Sequence, residues 1–111
     1  MALCTDEGVM STNDDATICK RSAVSLNYWD DPFVECFARG PVTRKPPEIN
    51  RGYYGRVSAV NHVLQQFLEM STRKGVQCQV VNLGSGFDTL FWKLKALYKV
   101  NHVKSFVDAG K

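Results

Sequence analysis

The stretch Val80-Val81-Asn82-Leu83-Gly84-Ser85-Gly86-Phe87-Asp88 has the make-up of a turn that brings main chain close to a ligand. An apolar, β-branched run stops at two glycines around a serine. Glycine lets backbone approach a bound group because no Cβ stands between them. In open α/β sheets, ligands sit at such carboxyl ends of strands. The spacing narrows the choice. A dinucleotide loop requires a third glycine at position 89, which is Thr89. A phosphate loop requires a wider glycine spacing followed by lysine, and that is absent too. What remains is a nucleoside cofactor with no phosphate to cradle, or a plain strand-to-helix turn.

Other reactive side chains are sparse. Cys4, Cys19, Cys36 and Cys78 show no paired spacing, which argues against a zinc site. Free thiols in a cytoplasmic protein are the plain expectation. His62 and His102 have no evident acid or base partner, so no metal site and no proton-transferring residue is expected. The net charge of +3 is spread over Lys20-Arg21, Arg44-Lys45, Arg73-Lys74 and single positions. A nucleic-acid surface would gather those charges on one face, so a nucleic-acid partner is not expected. No apolar run reaches the roughly 18 residues of a membrane span. The first residues lack the apolar segment of a secretory signal.

The positioning elements follow from period and punctuation. Residues 1–12 are polar and patternless and read as a disordered tail. Asn13-Asp14-Asp15 offers helix caps, with a short helix over Ala16 to Leu26. Asp31-Pro32 suits the start of a second short helix, ended by Gly40-Pro41. Residues 41–48 form a proline-rich loop. From Arg56 to Met70, Val57, Val60, Leu64, Phe67 and Leu68 make one helical face. The period then changes, and residues 75–83 read as a strand that is mostly buried by its end. Asp88 to Leu97 reads as a helix. A weaker strand spans about His102 to Val107. Strand, helix and strand in that order imply a parallel pair with a right-handed crossover. The expected fold class is α/β: N-terminal helices, then the first unit of a Rossmann-like sheet.

Three stretches together resemble the leucine carboxyl methyltransferase family. The first is Thr12 to Ala16 followed by Cys19-Lys20-Arg21. The second is Pro47-Glu48-Ile49-Asn50-Arg51-Gly52-Tyr53-Tyr54-Gly55-Arg56. The third is Asn82 to Thr89 with Phe91-Trp92-Lys93-Leu94-Lys95. The resemblance covers roughly residues 12–95, and its second and third stretches are specific. It implies S-adenosyl-L-methionine as cofactor. The implied cofactor contacts are Lys20, Arg56 and Gly84 at matching positions. Asp108 is the implied ribose ligand at the end of the second strand. Asn50, Arg51 and Tyr53 are candidates for ordering that pocket. The implied substrate is the C-terminal leucine carboxylate of the protein phosphatase 2A catalytic subunit. A sister branch, the tRNA wybutosine-synthesising methyltransferases, shares the motifs. A non-catalytic interaction fragment is the third possibility.

A carboxylate with a pKa near 3.5 is already ionised at neutral pH, so its methylation requires no general base. With two strands in sight, the chain is expected to be a partial domain over 13–111. Residues 96–111 are expected to depart from the family, and turnover to be low.

Overall fold

The computed structural model describes residues 6–98. Four helices follow in order: α1 Asp6–Ser25, α2 Val34–Phe37, α3 Pro47–Lys74 and α4 Leu90–Tyr98. α1 is the hub, packing against both α2 and α3. Its inward face is made of small residues. Thr17, Cys19, Ser22 and Ala23 are all buried, as is Val34 of α2. Small side chains let α3 come close, and they leave polar groups at the contact that must be paired.

Thr17 bonds the Asn13 carbonyl at 2.9 Å within α1, and Ser22 is paired across the contact. The Ser22 hydroxyl donates to Asn50 Oδ1 at 3.0 Å. Asn50 Nδ2 donates to the Lys45 carbonyl at 3.0 Å. The Lys45 N–H donates to Ser22 Oγ at 2.8 Å. Ser22 and Asn50 are 0% and 1% exposed. The proline-rich loop is thereby fastened between α1 and the first turn of α3.

Helix boundaries differ from the expectations in ways that tertiary contacts explain. α1 begins at Asp6, so the expected disordered tail of residues 1–12 is helical from residue 6. Glu7 falls in its first turn, where a carboxylate meets the positive end of the helix dipole. Asn13, Asp14 and Asp15 therefore lie mid-helix instead of capping it. α3 starts at Pro47 and runs 28 residues, absorbing Gly52 and Gly55. Proline fits a first helical turn, where its missing N–H has no partner to lose. At the far end Gly75 adopts φ 64°, and Val76 N–H reaches back to the Ser71 carbonyl at 3.0 Å. That left-handed cap closes the helix.

The larger correction concerns the sheet. No strand occurs among the described residues. Residues 76–83 run without a ladder, and Leu83, expected to be buried, is 86% exposed. A strand is stabilised by cross-strand pairing. The expected partner strand at His102 to Val107 lies outside the described residues. The architecture described is therefore helical. Apolar side chains also remain exposed along α3, at Val60, Val63, Phe67 and Met70.

Thiol chemistry follows from this packing. Cys36 and Cys78 are exposed, whereas Cys19 is buried. Burial, then the nearby Asp15 carboxylate, push the Cys19 thiol above its ordinary pKa, which lowers its thiolate fraction. Iodoacetamide should modify Cys36 and Cys78 within minutes and Cys19 only in denaturant. Peptide mass mapping that finds Cys19 modified as fast as Cys36 would refute the placement of Cys19 in the core.

Candidate functional site

A cleft of about 100 Å³ opens where α1, the α1–α2 connection, α3 and the entry to α4 converge. Its walls include Lys20 of α1, Trp29 and Asp31 of the connection, Arg56 of α3, and Asp88 and Thr89 ahead of α4. Each wall is held by identifiable bonds. Asp31 is buried and serves two elements. Its Oδ1 accepts the Phe33 N–H at 3.0 Å, which forms the turn into α2. Its Oδ2 accepts the Thr89 hydroxyl, tying that turn to the start of α4. So Asp31 does organise the helix after it, as its place before Pro32 suggests, but through a turn and not as the cap residue.

Asp88 is similarly engaged. It accepts from Asn82 Nδ2 at 3.0 Å and from the Leu90 N–H at 3.3 Å. Lys20 Nζ stands 3.7 Å from Asp88 Oδ1. That pair is partly exposed, and such pairs contribute little stability. It does orient the ammonium along the cleft wall.

The two acidic groups are thus occupied by donors of the protein itself. Arg56, by contrast, makes no hydrogen bond or ion pair among the described residues. Nearby, burial first, then the neighbouring Cys19 and Asp15, raise the Tyr53 phenol above its ordinary pKa. The phenol therefore stays neutral beside the guanidinium. Lys93 adds a further cation to the lining. The uncommitted charge of the cleft is positive, which suits an anionic ligand group. A guanidinium offers a planar fork to a carboxylate and an ammonium offers a point charge.

One residue of the cleft lining carries an unsatisfied group. Trp29 Nε1 is buried and has no hydrogen-bond partner. The only other such side-chain atom among the described residues is Ser85 Oγ, inside the glycine turn.

A family model described as leucine carboxyl methyltransferase matches residues 8–106. The chain belongs to the leucine carboxyl methyltransferase family. The match runs past residue 95, where the motif resemblance stops. Leucine carboxyl methyltransferase 1 of Rattus norvegicus is 50% identical over 90 residues, covering 81% of this chain and 26% of the relative. Its Caenorhabditis elegans counterpart is 43% identical over 93 residues, covering 80% and 27%. The tRNA wybutosine-synthesizing protein 4 of Homo sapiens is 39% identical over 89 residues, covering 78% and 13%. The chain thus spans about a quarter of the length of the leucine carboxyl methyltransferases it matches.

Of the residues singled out by sequence in this family member, Lys20 and Arg56 both line the cleft, Arg56 as an exposed residue. Gly84 does not line it; it is exposed, at φ 61°. Asp108 lies outside the described residues. Asn50 is a clamp of the fold and Arg51 is exposed. Trp29, Asp31, Asp88 and Thr89 were not expected in the site. The Asp31-Pro32 turn gave a local signal, and Asp88 and Thr89 close the third family stretch; Trp29 depends on long-range packing.

A broader depression of about 560 Å³ lies on another face of α1. Its Arg21 is committed, with a forked contact to Glu35 at 2.9–3.1 Å and a bond to the Gly40 carbonyl at 2.8 Å. The stacked rings of Phe37 and Phe87, 5.3 Å apart, form part of its wall.

Proposed function

We propose that this chain supplies the amino-acid end of an S-adenosyl-L-methionine site in a leucine carboxyl methyltransferase. The methyl acceptor is the C-terminal leucine carboxylate of the protein phosphatase 2A catalytic subunit. The observation that carries the reading is the meeting of Lys20 and Arg56 in one cleft, although they come from different helices. The donor set fits the carboxylate of the cofactor: one guanidinium without a hydrogen bond or ion pair among the described residues, one ammonium, and acids that already hold donors of the protein. When bound, the cofactor supplies a methyl group activated by a positive sulfur.

The residues of this chain hold, orient and exclude water. Arg56 and Lys20 fix the carboxylate end. The Asp31–Thr89 bond keeps the wall around it rigid, which matters because in-line transfer depends on position. The acceptor carboxylate is already ionised, so no histidine is called for. Residues 76–83, unpaired among the described residues, would pair as the first strand of a Rossmann-like sheet once partner strands are supplied, which would cover Leu83 and the apolar stripe of α3. In that arrangement Gly84, which lies outside the cleft, would allow close backbone approach, and Asp108 would meet the ribose hydroxyls. The higher identity to leucine carboxyl methyltransferase 1 than to the tRNA-modifying relative supports the protein carboxylate as acceptor. Reduced thiols at Cys36 and Cys78 accord with a cytoplasmic setting.

The cleft is smaller than the roughly 300 Å³ at which small-molecule pockets begin, so affinity should be modest. A ligand-observed NMR titration with S-adenosylhomocysteine should give binding weaker than low micromolar. A hydrogen bond to a charged group contributes about 1.5–3 kcal/mol, so Arg56→Ala should weaken binding at least about tenfold, with Arg56→Lys in between. Equal affinity in wild type and Arg56→Ala would sink the reading.

A further inference from the structure

The geometry points to Trp29 as a third donor to the same ligand group: its indole N–H binds the carboxylate that Lys20 and Arg56 attract. This rests on the reading above and adds a residue to it.

A buried N–H without a partner costs about 1–3 kcal/mol, and native proteins seldom leave one so. Trp29 Nε1 is such a group. Its residue lines the cleft shared by the ammonium of Lys20 and the guanidinium of Arg56. The nearby acceptors are accounted for. Asp31 uses one oxygen for the Phe33 N–H and the other for the Thr89 hydroxyl. Asp88 accepts from Asn82 and Leu90 and faces Lys20. An acceptor brought by a ligand would satisfy the N–H, and the cations of Lys20 and Arg56 that line the same cleft select an anion. An indole N–H donates and never accepts, so it cannot bind the ammonium end of an amino acid. A carboxylate accepts through two oxygens, enough for a guanidinium fork and one further N–H. Trp29 then acts as a specificity group. It favours ligands that carry the carboxylate over those with the adenosyl sulfide alone.

The chain has two tryptophans, so the two indole N–H signals in a ¹H–¹⁵N spectrum are assigned by one Trp29→Phe variant. Two probes separate the possibilities. S-adenosylhomocysteine carries the carboxylate; 5′-methylthioadenosine shares the adenosyl sulfide but has no amino-acid part. The expected result is a downfield shift of the Trp29 indole proton with the first probe and none with the second. Trp29→Phe should lose about tenfold in affinity for S-adenosylhomocysteine and nothing for 5′-methylthioadenosine. An unmoved Trp29 signal during saturable S-adenosylhomocysteine binding overturns the assignment and leaves the proposed function intact. Equal losses for both probes in Trp29→Phe also overturn it, because they mark a packing role. No binding of S-adenosylhomocysteine to the wild-type chain overturns both.

Discussion

Asn50→Ala should leave the chain largely unfolded in urea concentrations that the wild type withstands. The carboxamide of Asn50 accepts from the Ser22 hydroxyl and donates to the Lys45 carbonyl across the α1–α3 contact, and the Lys45 N–H closes the triad on Ser22 Oγ. Truncation leaves the Ser22 O–H donor and the Lys45 carbonyl acceptor without partners where water has little access, since Ser22 is wholly buried. Each stranded group costs about 1–3 kcal/mol. Small domains have only about 5–15 kcal/mol in total. The described core here contains just Cys19, Ala23 and Val34 as fully buried apolar residues, so this chain belongs near the low end. Two stranded groups are then a large fraction of its stability. Helical circular dichroism against urea is the measurement. A second variant separates lost bonding from lost packing. Ser22→Ala in the Asn50→Ala background frees the Lys45 N–H but removes the stranded hydroxyl, and with no Asn50 carboxamide left to strand, the pair should cost less than the sum of the single changes. An unchanged urea midpoint for Asn50→Ala, or strict additivity, would show that the triad does not hold the helices together.

The same residue shows what could be read in the sequence. The apolar period from Val57 to Leu68 announced α3. Its start was not legible. Gly52 and Gly55 look like breakers, and only the burial of Asn50 one turn earlier explains why the helix tolerates them. Helix propensity is a local preference that tertiary contacts override. α1 was misjudged for the converse reason. Asn13 has a cap-forming side chain, but its carboxamide oxygen is taken by the Phe87 N–H at 2.9 Å, from the other end of the described chain. The alternation in residues 76–83 was real, yet alternation states which face would be buried and not what buries it. At the site, Lys20 and Arg56 emerged from family motifs, whose charge pattern survives in a linear string. Trp29 did not, because its place in the cleft arises from which surfaces meet.

Gly86 is where that long-range meeting is tightest, and Gly86→Ala should be clearly worse than Gly84→Ala. Both glycines sit in the left-handed region, at φ 51° and 61°. An L-residue there costs about 1–2 kcal/mol, and that cost is common to the two variants. Space separates them. A Cβ on Gly84 would meet nothing within 4 Å, whereas one on Gly86 would lie 2.3 Å from Asn13 Oδ1 and 2.9 Å from Asn13 Cγ. Asn13 cannot swing away without releasing the Phe87 N–H it holds. The turn must therefore lift from α1. With it go the segments that place Asp88 against Lys20 and Thr89 against Asp31, so the cleft loses a wall. Gly84→Ala should shift the urea midpoint by the backbone cost alone. Gly86→Ala should shift it further and also weaken S-adenosylhomocysteine binding. The steric part has its own control. Asn13→Ala added to Gly86→Ala removes the collision but not the left-handed backbone, so stability should recover to about the level of Gly84→Ala. Equal effects of the two glycine variants, or no recovery with Asn13→Ala, would mean that the turn is not seated on α1 and that the cleft is walled in some other way.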